Sequence, residues 1–440
     1  MVLGHSYHFS LIAKCLPENR ILNVDEEWVK ELSVSQTPMQ EFSTYHGNIF
    51  ADIESEKCTF KHRSADEQLR RAAALYRVVK RFFGQIRPDF ALISQIEGVE
   101  GKIFAAVARE MGVKLIVPYP CRNIGGYFFS EGDEEVVPVY AKVDSASRAA
   151  AKQFVSEFRK NPLPAANNVQ FCEPVLDNFR PPFARRAARA ITRAAKYWPL
   201  FEPDAIRVAL LNNLPMLRNT IWGARELVNK RFAVVRTLDR LPSKFIYFPL
   251  QYSPESSINS PAPFFIDQFR VIDAIRFSMP NDTLLVVKEH PTCLRMREFG
   301  FYKRMCRLAG VMLVAHNLDS REIVKRALVT VSVTGTPIFE AFLFGRPSIT
   351  LGGSLVAKYI GGVANISSLG NRIQELSGME LSDEDLIHGV AELFSARYGI
   401  VFRSPGEAGE PVLRESNVRG ILAALKRHTA EVDANYVGRN

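Results

Sequence analysis

The sequence predicts an α/β protein made of two Rossmann-like domains that face each other across a cleft. The second half alternates short apolar runs of strand length with segments of helical apolar spacing. The first half repeats that alternation less regularly, and 440 residues exceed what a single hydrophobic core organises. Hydrophobic residues make up 47% and charged residues 23%, an ordinary globular balance that supplies both cores. The expected division is an N-terminal domain over 1–160, a basic connecting segment over 161–240, and a C-terminal domain with trailing helices over 241–440.

In the first half, only Met1–Leu3 and a glycine precede the polar His5–His8 segment. Either the first strand is very short or the chain begins downstream of its natural start. Ile21–Val24 reads as a weak strand. Ser64 and Glu67 spell a capping box that opens a helix through Phe83. Phe90–Ser94 follows as a strand, Lys102–Met111 as a helix and Lys114–Val117 as another strand.

In the second half, Lys244–Tyr252 reads as a buried strand ending in a loop rich in Ser, Pro and Asn. Phe264–Ser278 has helical spacing and stops at Pro280. Thr283–Lys288 and Val311–Ala315 are strands. Asp319 or Ser320 caps a helix through Arg326, and Leu328–Val333 is the next strand. Thr336 then caps Pro337–Phe344, with Gly345 just past its end, and Ser348–Leu351 closes the series. Ligands of open parallel sheets bind beyond the carboxyl ends of the strands, so that edge is where chemistry is expected.

Composition narrows the function classes. No run approaches the ~18 apolar residues of a membrane span, and the N-terminus lacks the pattern of a secretory signal, which gives a cytoplasmic expectation. Cys15, Cys58, Cys121, Cys172, Cys293 and Cys306 form no C-x-x-C pair, so buried reduced thiols are expected rather than zinc or disulfides. A net charge of +9 implies an anionic partner. No zinc finger, RRM-type aromatic motif or helix-turn-helix favours nucleic acid. In Phe183–Trp198, Arg185, Arg189, Arg193 and Lys196 share one helical face. That face suits contact with an anionic inner-membrane surface or, since the opposite face is mostly alanine and a weak anchor, a solvated or acceptor-facing helix.

Three segments end strands of the second half. Lys288-Glu289-His290-Pro291 follows the Thr283 strand, and a histidine there donates to a phosphate oxygen with a lysine's charge nearby. Ser332-Val333-Thr334-Gly335-Thr336 joins a strand to a helix, where hydroxyls, backbone N–H groups and the helix dipole make an anion site. Glu340 lies one turn into that helix, placed to accept from the hydroxyls of a ribose. Together they spell a phosphate-and-ribose constellation. Neither G-x-G-x-x-G nor G-x-x-x-x-G-K-[ST] occurs, which disfavours dinucleotide and P-loop readings.

Phe248–Ser257 (FPLQYSPESS), Val287–Pro291 (VKEHP) and Thr334–Ile349 (TGTPIFEAFLFGRPSI) resemble bacterial capsule polysaccharide biosynthesis glycosyltransferases. These are GT-B enzymes distantly similar to Kdo- and sialyltransferases with an HP motif. The resemblance covers residues 240–360 well and the first half only in general pattern. It implies transfer from a CMP-, UDP- or GDP-linked sugar to a capsular or lipid-linked saccharide acceptor, with no cofactor beyond that co-substrate. It places His290 on the donor phosphate, Ser332, Thr334, Gly335 and Thr336 around it, Glu340 on the ribose, and Gln251 and Glu255 along the donor side. The first half would supply the acceptor surface and the catalytic base, for which Glu97 in Ser94–Gly101 (SQIEGVEG) has the right topological position. Glu100, His8 and Asp133 are rivals. No metal is implied: the D-x-D of Asp383-Glu384-Asp385 follows Ser382 and reads as a helix start. A nucleotide-sugar epimerase of the same shape and a non-catalytic polysaccharide-assembly scaffold are the competing readings.

Overall fold

The computed structural model describes residues 2–4, 21–33, 39–55, 63–93, 96–132, 136–137, 142–162, 215–251, 262–290, 293–295, 297–402 and 414–437. The basic stretch 183–198 lies outside these residues, as do His8, Asp133 and Glu255. The described residues form two compact units, one up to Val117 and the other from Pro118 onward.

In the first unit, β1 (Val2–Gly4) pairs in parallel with β2 (Ile21–Asn23). This first described strand is three residues long. Helices α1 (Val24–Leu32) and α2 (Ile49–Glu54) follow. The side chain of Asn48 caps α2, accepting from the N–H groups of Phe50 and Ala51 at 3.1 Å each. Helix α3 (Ala65–Ile86) buries Ala72, Leu75, Val79 and Phe83. Ser64 caps it through Glu67 N–H at 3.3 Å. The reciprocal half of the expected capping box gives way to ion pairs, since the Glu67 carboxylate meets Arg70 and Arg71 at 2.8 Å each. A charge-assisted pair is stronger than a bond to one neutral amide. Strands β3 (Phe90–Leu92) and β4 (Lys114–Pro120) are parallel, Phe90 opposite Lys114. Between them runs α4 (Gly98–Glu110).

The second unit contains β5 (Tyr127–Ser130), α5 (Ser145–Lys160) and α6 (Pro215–Asn229). Its centre is a series of β6 (Phe245–Pro249), α7 (Gln268–Ser278), β7 (Leu284–Lys288), α8 (Phe301–Met305), β8 (Val311–Val314), α9 (Ser320–Arg326), β9 (Val329–Ser332), α10 (Thr336–Leu343) and β10 (Ser348–Thr350). These five strands make one parallel sheet in the order β10-β9-β6-β7-β8. The chain passes from one edge back to the middle between β8 and β9, so the switch point of the sheet lies between β6 and β9. Helices α11 (Leu369–Leu376), α12 (Asp383–Ala396) and α13 (Glu415–Val437) complete the unit.

Period-2 alternation assigns each strand residue to a face. Ile246, Phe248, Leu285, Val287, Val329 and Val331 pack with Phe269, Ile272 and Ile275 of α7 and Ile373 of α11. On the other face, Phe245, Tyr247, Val286 and Val314 pack with Ile323 and Val324 of α9 and Ala341 of α10. A third cluster joins Ala151, Val155 and Phe158 of α5 to Phe342 of α10 and Leu386 and Val390 of α12. The boundary drawn at residue 160 from the sequence differs from the observed division for this reason. The apolar face of α5 is buried against α10 and α12, and Arg159 pairs with Asp383 at 2.9 Å. Among the described cysteines, Cys121 and Cys293 are buried free thiols, whereas Cys306 is free but exposed. No described helix is long and apolar enough to cross a membrane.

Candidate functional site

Gln251, Ser332 and Lys288 emerge beside one another because β9, β6 and β7 are neighbours in the sheet. The switch point is pinned by side chains. Gln251 Nε2 donates to Ser332 Oγ at 2.6 Å, and Ser332 Oγ donates to the carbonyl of Thr334 at 2.8 Å. Both buried groups are therefore spent on shaping the turn that leads into α10. Gln268 braces Gln251 in turn, accepting from its N–H at 2.8 Å and donating to its carbonyl at 3.1 Å. Thr350 Oγ1 supports the same turn from β10 by donating to the carbonyl of Val333 at 3.1 Å.

Gly335 occupies that turn with φ 93° and ψ −169°, a region that a side chain makes costly. It, rather than Thr336, is the N-cap of α10, and no side chain caps the helix. Thr336 is the first helical residue, and Pro337 behind it has no N–H to offer. The remaining first-turn N–H groups have no intrahelical acceptor. Among the described residues no N-cap side chain takes them, and with the helix dipole such an end favours an anion.

Lys288, Glu289 and His290 separate by alternation. His290 is exposed at the end of β7. Glu289 points to the α7 side and is a fully satisfied buried carboxylate. It accepts from His290 N–H at 2.7 Å, from Arg297 Nε at 2.8 Å and from the Tyr302 hydroxyl at 2.6 Å. Arg297 also donates to the Gln251 carbonyl at 2.8 Å. Burial works against the Arg297 charge, but Glu289 outweighs it and holds the guanidinium above its ordinary value. This hub fixes the backbone that presents His290. Sequence reading passed over Glu289, although its place between Lys288 and His290 on the opposite face was the available signal.

Lys288 points to the α9–α10 side and is only 5% exposed. Burial lowers its pKa, opposed by the negative charges of Asp319, Glu289 and Glu340. The lysine expected near the donor phosphate is buried among the charges of Asp319, Glu289 and Glu340. Glu340 is itself only 7% exposed. Burial pushes its carboxyl up to about 7, with Arg321 pulling it down, Asp319 raising it and Lys288 lowering it. Asp319 is the N-cap of α9, accepting from Arg321 N–H at 2.9 Å and pairing with the Arg321 guanidinium at 2.7 Å. Asp319 and Arg321 enter the site because the N-terminus of α9 abuts α10, a juxtaposition the sequence does not display. The Glu340 carboxylate makes no hydrogen bond to any described residue, whereas its backbone carbonyl accepts from Phe344 N–H at 3.0 Å.

In the first unit, Glu97 is the exposed N-cap of α4, and its side chain does not cap the helix. Gly98 follows with φ 63°. Glu100, its rival, is in the first turn of the same helix. The D-x-D is a helix start as expected. Ser382 Oγ accepts from Asp385 N–H at 3.1 Å, and Asp383 is paired with Arg159. Among the described residues no group of three His, Cys, Asp or Glu side chains could hold a metal ion.

No protein-family model matches the chain, and no curated protein matches it. Among solved structures it is similar to the beta Kdo 2,4 transferase KpsC of Thermosulfurimonas dismutans, at 12% identity and a TM-score of 0.34, over 70% of this chain and 78% of that one. It is also similar to a UDP-GlcNAc 2-epimerase of Methanocaldococcus jannaschii solved with UDP-GlcNAc and UDP, at 10% identity and a TM-score of 0.27, over 76% and 82%. The spinosyn rhamnosyltransferase SpnG matches over 37% of this chain and 44% of its own, at 12% identity and a TM-score of 0.25.

Proposed function

We propose that this chain is a glycosyltransferase that moves a sugar from a CMP-, UDP- or GDP-linked donor to a cell-surface saccharide acceptor. One observation carries the reading. At a single switch point of a parallel sheet, the open N-terminus of α10 adjoins a buried carboxylate, Glu340, that has no hydrogen-bond partner among the described residues. An anion site beside an acceptor for paired hydroxyls is what a ribose phosphate requires. His290, on the neighbouring strand end, supplies a further donor.

The acceptor hydroxyl attacks the anomeric carbon as the bond from that carbon to the phosphate oxygen breaks. The nucleotide leaves with the electron pair, and the hydroxyl proton passes to a general base. The amides of α10 and His290 stabilise the charge that develops on the leaving phosphate, and we assign them this task in place of a metal. Glu97 is our choice for the base.

The test is incubation of purified protein with CMP-, UDP- and GDP-sugars, with and without oligosaccharide acceptors. Acceptor-dependent release of nucleotide and an elongated product are expected. Epimer formation without acceptor and without free nucleotide would replace transfer by epimerisation. Binding of no nucleotide at all would leave a scaffold. Glu97→Gln should abolish transfer and leave nucleotide affinity unchanged.

A further inference from the structure

Three hydroxyls lie side by side across the central sheet, and none has a hydrogen-bond partner among the described residues. They belong to Ser348 on β10, Thr330 on β9 and Tyr247 on β6, at 1%, 1% and 0% exposed. Thr330 is the register partner of both Ser348 and Tyr247, so the three leave the sheet on one face. Their strand neighbours Ile349, Val329, Val331, Ile246 and Phe248 pack on the α7 side, and alternation turns the hydroxyl residues toward α9 and α10. Ala341 of α10 packs with Tyr247 there, so the helix meets this face with a methyl group. A buried hydroxyl without a partner loses the bonds that it made to water in the unfolded chain. Neighbouring strands stand about 4.8 Å apart, whereas an O–H···O bond spans about 2.8 Å. That spacing suits a bridging water, which joins about three polar groups in a protein interior.

The row leads to Glu340, which precedes Ala341 on α10 and acts electrostatically on the Tyr247 hydroxyl. The charges facing Glu340 come from Arg321 and Asp319 of α9 and from Lys288 of β7, and Tyr247 is the titratable group on its β6 side. Burial holds the Tyr247 phenol above its ordinary value, and the negative charges of Glu340 and Asp319 add to that effect. Tyr247 therefore keeps its proton and remains a donor wherever Glu340 titrates. Ser320 approaches the same hydroxyl without completing a hydrogen bond. We propose that Ser348, Thr330 and Tyr247 hold ordered water beneath α10, and that Tyr247 is a positioning residue whose hydroxyl reaches the Glu340 carboxylate through that water. A donor delivered to the ionised carboxylate favours ionisation. Loss of the Tyr247 hydroxyl should therefore raise the pH at which Glu340 gives up its proton. The proposal bears on the carboxylate that the transferase reading assigns to the ribose, but its test needs no nucleotide, so either can fail alone.

Three measurements on the full chain test it. A high-resolution crystal structure should show water within hydrogen-bond distance of at least two of the three hydroxyls. Thr330→Val should lower the denaturant midpoint, because the water loses a partner. A row without water predicts the opposite sign, since the substitution then removes an unsatisfied hydroxyl. Ser348→Ala, on the edge strand, should lose the water at that end in the crystal, whereas Thr330→Ser, which keeps the hydroxyl, should retain it. Tyr247→Phe should carry the decline in stability that Glu340 produces up to about pH 7 further upward, by about one pH unit. In a Glu340→Gln background Tyr247→Phe should move nothing. A dry row in the crystal, or a raised midpoint in Thr330→Val, overturns the water. Stability lowered equally at every pH in Tyr247→Phe marks a packing role alone and overturns the link to Glu340.

Discussion

Glu340 gives nucleotide binding a pH dependence whose sign and size follow from its surroundings. Its carboxyl is pushed from 4.5 up to about 7, chiefly by burial. An ionised carboxylate accepts from both hydroxyls of a ribose, whereas the protonated acid has one oxygen committed to its own proton. About a tenth of the protein is ionised at pH 6 and about nine-tenths at pH 8, so affinity should rise roughly tenfold across that window. Stability moves the other way. The folded chain holds this proton to a higher pH than the unfolded chain does, so stability is intact below about 4.5 and is lost as pH rises through about 7. The displacement corresponds to about 3 kcal/mol at full ionisation.

The assay is calorimetric titration with a nucleotide sugar, whose diester phosphate does not itself titrate between pH 6 and 8. Wild type and Glu340→Gln are compared at each pH, so that the pH dependence of every group other than Glu340 cancels. Denaturant unfolding of both proteins from pH 4 to 8 reads the stability arm. The Gln variant should bind weakly with no rise toward pH 8, and it should lose the decline in stability between about pH 4.5 and 7. Parallel pH profiles in the two proteins would refute the reasoning, because the titrating group would then lie elsewhere.

The same cluster and its neighbours yield further outcomes. Lys288→Met removes a positive charge that lowers the Glu340 pKa. The rise in nucleotide affinity should therefore shift to higher pH in that variant, read by the same titration. His290→Ala removes an exposed donor, so nucleotide affinity should fall by about tenfold or more, the value of a hydrogen bond to a charged group, with unfolding unchanged. Glu289→Ala leaves Arg297 buried without its partner and should destabilise the second unit by ~3–5 kcal/mol, measured by denaturant unfolding. Equal stability of that variant and wild type would remove the hub from the account of the site.

The second unit was legible because its strands are apolar runs bounded by turn residues, and burial on both faces leaves little else for such runs to form. The five central strands begin and end within three residues of their expected bounds. Helix starts were less so. Thr336 has the chemistry of a cap, yet Gly335 takes that position because its φ of 93° lets the chain turn sharply out of β9. Glu97 likewise stands as an N-cap, with α4 starting at Gly98 rather than at Lys102. A capping preference of ~1 kcal/mol does not decide between neighbours when a glycine permits the tighter path.

The site itself was legible as a set of positions and illegible as a set of partners. Gln251 meets Ser332, and Lys288 ends the next strand, because β9, β6 and β7 are neighbours in one sheet. Which groups each one meets depends on face and on loops. Lys288 and Glu289 are adjacent in sequence, yet the pleat sends one to Glu340 and the other to Arg297 and Tyr302. Partners arriving from 8 to 13 residues downstream, or from the start of another helix as Asp319 does, leave no local spacing to read. The consequence is chemical. Glu289, with both oxygens hydrogen-bonded, is fixed as scaffold, whereas the Glu340 carboxylate, one turn into α10, has no hydrogen-bond partner among the described residues, and on the proposed function it is the one that a ligand would engage.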